Sequence, residues 1–420
     1  CNVTSTYAKA IASYAPVAGD EVVAFVGEGV VANTAIPANF APEGYQVEVA
    51  ADGTYFVDDQ AIAQVDGENF GKVEWAFEAA IESGKTLTLL TNYDAASYTF
   101  EVPAGKSFTI DLNGFVLTGS SNQRNHQMFI NNGTMVVNDS SNATGEIRYT
   151  FTGERDGSMG TGNYTISNRG SLTLNAGTIN NATESSSTRH MLDAVDNNST
   201  LRDATFTING GTVKCDAYMA IRQFANSTTH KNDVVINGGS VGKIFVQGSN
   251  ANAQKASLQV KGGEVVGLFV SFELNSQNLA LDVDTSCITS DYMHFYLDST
   301  HKVHTDANGK LSMLQGTQVA QVGTGYYSFE DAIAKANETG EKVVLIADAT
   351  MDKATNVTAN VTIDLNGKTL KLNAATLYFL DCQATITNGT LDLSGVVAKG
   401  DCIIGVGNYS KDGTLTLTNV

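Results

Sequence analysis

One short phrase keeps returning in this chain, and its spacing restricts the fold more than any other feature. SLTLNAGT, starting at Ser171, reappears as TFTINGGT from Thr205, as DVVINGGS from Asp233 and as SLQVKGGE from Ser257. Its turn positions, Asn175, Asn209, Asn237 and Lys261, follow one another after 34, 28 and 24 residues. Each copy alternates apolar and polar residues and ends on a tight-turn pair, which is a strand signature rather than a helical one. A sandwich of hairpins would also alternate, but it has no reason to repeat one phrase at a near-constant interval. A coil of strand, turn, strand and return loop cannot bury its apolar side alone. Stacking such coils about 4.8 Å apart satisfies the backbone and makes a continuous core. The expectation is an all-β chain built as a parallel β-helix, or solenoid.

A second, longer repeat organises the chain into units. Val73–Gly84 matches Phe329–Gly340 with a constant shift of 256, and IAQV from Ile62 returns as VAQV from Val319. TIDLNG from Thr109 returns from Thr362, and Val49–Thr54 resembles Thr305–Lys310. The sequence therefore predicts the tail of one unit over residues 1–61, a complete unit over 62–318 and the start of another over 319–420.

Each unit opens on an amphipathic helix. Val73, Ala76, Phe77, Ala80 and Ile81 fall on one helical stripe, and Gly84 suits a left-handed stop. In the later copy Ser328 and Asp331 have capping-box spacing. Strand-like runs follow at Leu87–Leu90 and Val343–Ile346. An open solenoid end exposes unpaired strand edges, so the helix is expected to act as an N-terminal cap, with Phe77 and Ile81 covering the first coil. Asp111 and Asp364, in the repeated IDLNG, are expected to stabilise its turn.

Composition narrows the function. A formal charge of −19 would repel phosphate backbones and anionic membranes, so no nucleic-acid partner is expected. No apolar run is long enough for a membrane span, so no membrane insertion is expected. Residue 1 is Cys, and the chain stops inside an alternating run. Both ends read as cuts from a longer protein, with a lipid-carrying Cys1 as the rival reading. The five cysteines include no CxxC and no His at ligand spacing, so no metal or cofactor site is expected. Cys382 and Cys402 lie about one coil apart; they read as small buried thiols or as a bridge.

The unit opening, AIAQVDGENFGKVEWAFEAAIESGKTLTLL and VAQVGTGYYSFEDAIAKANETGEKVVLI, followed by IDLNG, resembles the pectin-lyase-like right-handed β-helix repeats of large secreted bacterial surface proteins. The likeness runs through most of residues 47–420. It implies right-handed coils behind a helix-containing N-terminal cap, units in series, and an extracellular, cell-surface location. It does not choose a function, because this fold hosts lyases, hydrolases, adhesins and stalks alike.

The hydrolase signatures of that family, Asn-Thr-Asp, Gly-His-Gly and Arg-Ile-Lys, are absent, as are calcium-binding nonapeptides. One charged group stands out. Arg189, His190, Asp193 and Asp196 precede one turn, while Asp216 and Arg222 precede the next. Counting back from the turns stacks His190 over Tyr218, so ionisable groups of two coils could share one face as a carboxylate and guanidinium binding site. A one-residue change of register would turn Asp193 or Arg222 inward, leaving a solvated charged face as the plainer reading. Trp75 reads either as a glycan platform or as packing against the preceding junction. His294, His301 and His304 cluster without a partner set for a metal, and the many Asn-x-Ser/Thr triplets follow from an Asn- and Thr-rich turn vocabulary. The sequence thus points to a non-catalytic modular surface protein, an adhesin or stalk, with glycans or host-surface macromolecules as partners. A polysaccharide lyase or glycoside hydrolase is the alternative.

Overall fold

In a computed structural model, the described residues are 2–3, 31–32, 41, 45–50, 53–59, 61–141, 145–154, 162–184, 192–248, 255–273, 276–373, 375–394, 403–408 and 410–420. The described residues are mostly β, in parallel sheets with two α-helices, and the chain divides into two compact units. The first comprises residues 1–298 and 305–312, the second residues 299–304 and 313–420.

In the first unit the chain passes repeatedly through three faces. The returning phrase forms the first face: Ser171–Leu174, Ala204–Ile208, Asn232–Ile236 and Ala256–Val260 pair in parallel, with Ser171, Thr205, Asp233 and Ser257 in register. The repeat read from the sequence is therefore a physical stack. Alternation sends Leu172, Phe206, Val234, Leu258 and Leu281 into the core one above another. At the following turn Asn209 donates through Nδ2 to Asn175 Oδ1 (2.8 Å) and Asn237 to Asn209 (2.9 Å), an exposed amide ladder along the stack. Gly239 there has φ +84°, and a Cβ would stand 2.5 Å from the Gly211 carbonyl oxygen of the coil beneath. The double glycine lets successive turns lie this close.

The second face includes Thr178–Asn181 and Thr212–Cys215, and the third Tyr164–Asn168, Val195–Asn198 and Ile221–Ala225. The connection between these faces shortens from residues 182–194 to 216–220 and then vanishes. Single strands, Ser240–Gly248 and Glu264–Phe272, then span both faces. This is why the phrase returned at falling intervals. A buried ladder runs along the third face from Asn131 to Asn168 (2.7 Å) and Asn197 (2.6 Å) and ends on Asn232 (2.6 Å) of the first face, satisfying amides that could not otherwise be buried.

Helix α1, Val73–Ser83, covers the start of this stack. Val73, Ala76, Phe77 and Ala80 are buried, and Phe77 meets Phe108 (4.7 Å between centroids) and Phe100 (5.2 Å) edge-on. Ile81, expected beside Phe77, is only half-buried. The cap also holds an element the helical pattern did not announce. Ala63–Val65 forms a hairpin with Glu68–Phe70 and lies antiparallel to Thr86–Leu89, so the first parallel strand has an edge partner. Gly84 ends α1 at φ 70°.

The second unit repeats the plan. Helix α2, Phe329–Thr339, starts where Ser328 Oγ accepts the Asp331 N–H (3.1 Å) and ends at Gly340, φ 70°. Ala320–Val322 lies antiparallel to Gly325–Tyr327 and to Val343–Leu345; Val343–Leu345 then begins a parallel series through Thr362–Asp364, Cys382–Thr387 and Gly413–Thr418. The repeated IDLNG makes the same turn twice. Asp111 Oδ1 accepts the Asn113 N–H and Asp364 Oδ1 the Asn366 N–H, both at 3.0 Å. Asn113 and Asn366 in turn donate to Leu89 and Leu345 carbonyls, both at 3.1 Å. Ahead of each unit the matched segments also form the same turn: Ala50 N–H donates to the Thr54 carbonyl (2.8 Å), as Asp306 does to Lys310 (2.9 Å).

Trp75 is half-buried against the Tyr45 ring (centroids 5.8 Å) with Lys72 Nζ 5.6 Å from its ring centre, so it packs on the preceding segment. Cys215, Cys287 and Cys382 are free thiols, while Cys1 and Cys402 lie outside the described residues. No described helix is long and apolar enough to cross a membrane.

Candidate functional site

Of the six residues picked out by charge, Arg189 and His190 lie outside the described residues. Asp216 is exposed on the turn between Thr212–Cys215 and Ile221–Ala225, where its charge acts on Cys215. Asp193, Asp196 and Arg222 do come together on the third face, and they do so through strand register. Ser167, Asp196, Arg222 and Phe245 occupy one outward row. Ile166, Val195, Ile221 and Ile244 occupy the adjacent core row. Asp193 stands two residues before Val195, in the connection that leads into this strand, and is fully buried.

Asp196 and Arg222 are paired in register, whereas Asp193 lies in the segment before Val195–Asn198, outside the strand whose alternation would set its direction. Arg222 donates to Asp196 Oδ1 (3.4 Å), to the Tyr164 hydroxyl (3.2 Å) and to Gln247 Oε1 (3.0 Å from Nη2), and its guanidinium lies 4.2 Å from the Phe224 ring centre. Asn198 Nδ2 donates to the other Asp196 oxygen (3.1 Å). All three charged residues are buried: Asp193 is 0% exposed, Asp196 2% and Arg222 6%.

Their electrostatics follow from that burial. Desolvation pushes the Asp193 carboxyl up to about 8; Arg222 opposes the shift and Asp196 adds to it. Neither Asp193 oxygen has a hydrogen-bond partner of good geometry, although the Met219 amide eases its charge slightly. Asp196 is raised by burial against the pull of Arg222. Burial also works against the Arg222 charge, but Asp196 and its other neighbours outweigh it, and its pKa ends above the ordinary value. Burial raises the Tyr164 phenol and takes the Cys215 thiol up to about 12, so Cys215 is no nucleophile. A buried carboxylic acid without a good hydrogen-bond partner, beside an engaged ion pair, can hold a proton. It cannot reach a polymer.

The aromatic row beyond Arg222 escaped the sequence reading. The same outward row continues through Phe245, Phe269 and His294, flanked by Gln247, Ser271 and Tyr296. Phe269 lies 4.7 Å from Phe245 and 5.6 Å from Tyr296 between ring centres. On the other side Lys243 Nζ sits 4.5 Å from the Tyr292 ring centre. A signal was present in Ile244-Phe245-Val246 and Leu268-Phe269-Val270. In any strand with three apolar residues in succession, the middle one must face away from the other two. No protein-family model matches the chain, and no curated protein or solved structure matches it significantly.

Proposed function

We propose that the chain is part of a non-catalytic, modular extracellular surface protein, an adhesin or stalk, that presents a β-helical face to glycans or other surface macromolecules. Its units would be right-handed parallel β-helices of the pectin-lyase-like kind, each behind a capping helix; crossovers between parallel strands are right-handed in nearly all proteins. One observation carries the non-catalytic reading. The charged groups picked out from the sequence, Asp193, Asp196 and Arg222, are buried, and Arg222 is spent on Asp196, Tyr164 and Gln247. Polysaccharide cleavage needs an acid or base within hydrogen-bond reach of the substrate. The recurrence of helix, antiparallel edge strand and parallel stack supports the modular part of the reading, since such units can be strung in series to set reach.

A lyase or hydrolase is the second reading, favoured by the high Asp193 pKa beside a cation, an arrangement enzymes also use. Incubation with acidic and neutral polysaccharides, followed by assay for new chain ends and unsaturated products, separates the two. We expect none. Turnover abolished by Asp193→Ala or Arg222→Ala would overturn the non-catalytic reading.

A further inference from the structure

The outward side chains of the last coils of the third face form a small grid. One line holds Lys243, Gly267 and Tyr292; the next Phe245, Phe269 and His294; the third Gln247, Ser271 and Tyr296. Phe245 is nearly covered, Phe269 is half-buried, His294 is exposed and Tyr296 is 52% exposed. The ring surface therefore opens progressively along the stack. Two small residues shape it. Tyr292 lies so close over Gly267 that a Cβ there would meet the tyrosine Cβ and Cδ1 at 2.9 Å, and Ser271 is the small residue in register between Gln247 and Tyr296.

We propose that this grid is a binding platform for a neutral glycan chain, with sugar rings stacked on Phe269 and Tyr296. The inference rests on the non-catalytic surface-module reading and gives it a site and a ligand class. A pyranose offers an apolar C–H face ringed by hydroxyls, and the grid is its complement: two accessible aromatic rings with amide, hydroxyl and ammonium groups at their edges. The polar rim is set in advance. Arg222 donates from both Nε (3.3 Å) and Nη2 (3.0 Å) to Gln247 Oε1, which fixes the amide so that its NH2 remains the donor side. Arg222 is itself held by Asp196 and Tyr164. The buried cluster thus acts as the support of the platform, and preorganisation of this kind raises affinity by lowering the ordering cost.

Charge selects among glycans. The only ammonium of the nine grid positions, Lys243, sits over the Tyr292 ring at the edge of the grid away from Tyr296, while a net charge of −19 repels polyanions. A protein partner fits less well, because Gln247, Ser271, His294 and Lys243 interrupt the rings and leave no continuous apolar patch. The spacing of coils is also close to the length of one sugar ring, so neighbouring rings can serve neighbouring sugars.

Isothermal titration with neutral glucose, mannose and galactose hexasaccharides, and with oligogalacturonate as the anionic arm, tests the proposal. The protein should bind at least one neutral probe and not the anionic one. Tyr296→Ala and Phe269→Leu should each weaken binding about tenfold, the scale of one stacked ring, with the melting temperature of the Tyr296 variant unchanged. Failure to bind any neutral probe, a preference for oligogalacturonate, or unchanged affinity in both variants would overturn it. So would self-association that Tyr296→Ala abolishes in a protein that binds no sugar. Product analysis of the same mixtures keeps the two readings apart. Cleavage of a bound hexasaccharide sinks the non-catalytic reading and leaves the platform standing, whereas neither binding nor cleavage sinks the platform alone.

Discussion

Replacing Asp193 with Asn should remove most of a stability loss that the protein otherwise suffers as pH rises from acid to neutral. Asp193 is fully buried with no good partner for either oxygen, and its carboxyl is pushed up to about 8 from an ordinary 3.8. In the window between those values the folded protein keeps the proton and the unfolded chain releases it, so the folded state binds more protons. Stability is then greatest below the unfolded pKa and falls as pH climbs toward the folded one, by up to about 1.4 kcal/mol per pH unit from this group. From about pH 5 to about pH 7 the loss approaches roughly 3 kcal/mol. Asn has nearly the same shape and no proton to lose. Urea denaturation followed by far-UV circular dichroism at several pH values, for wild type and Asp193→Asn, gives the comparison. Taking the difference between the two proteins cancels the background of other carboxylates, including Asp196, which is also raised and remains in both. The variant should gain on wild type steadily as pH rises. A difference that stays constant across the window, or that moves in favour of wild type, would refute a buried protonated Asp193.

Phe77→Asp puts a charge against Phe100 and Phe108 at the capped end and should cost several kcal/mol with self-association through the bared edge, whereas Glu78→Lys on the exposed side of α1 should change stability by less than about 0.5 kcal/mol; equal effects in thermal melts would mean that α1 is no cap. Asn197→Ala breaks the buried ladder between Asn168 and Asn232 and should cost about 2–4 kcal/mol, against under about 1 kcal/mol for Asn209→Ala in the exposed ladder, both read as urea midpoints. Gly239→Ala meets both a left-handed backbone and the Gly211 carbonyl, so it should destabilise by about 1–3 kcal/mol. Gly84→Ala, with the same backbone demand and open space around it, should cost about 1 kcal/mol; a smaller loss for Gly239→Ala would contradict the close stacking of the turns.

The helices, the stacked phrase and the repeated IDLNG turn were legible because each rests on local chemistry. Val73, Ala76, Phe77 and Ala80 form a stripe whatever lies opposite, and Asp111 and Asp364 need only a backbone N–H two residues on. The charged cluster was half legible. Spacing from the turns brought Asp193, Asp196 and Arg222 to neighbouring coils, but the stretch from the third face to the next first-face strand is residues 199–203 in one coil and 226–231 in the next, so counting back from the turns could not assign inside and outside. The cap hairpin Ala63–Val65 with Glu68–Phe70 was missed because three-residue strands carry too little alternation to register as a pattern.

Local chemistry thus specified stacked parallel strands and the two helices, because backbone periodicity, turn chemistry and capping act over a few residues. Which groups meet water and which meet each other depends on pairing between distant segments. Asp196 reaches Arg222 across 26 residues, and Arg222 reaches Tyr164 across 58. Phe245, Phe269 and Tyr296 share one side of their sheet only because their strands lie side by side in register. Hydrophobicity alone places a phenylalanine inside; the pairing of strands, through the pleat, turned these outward.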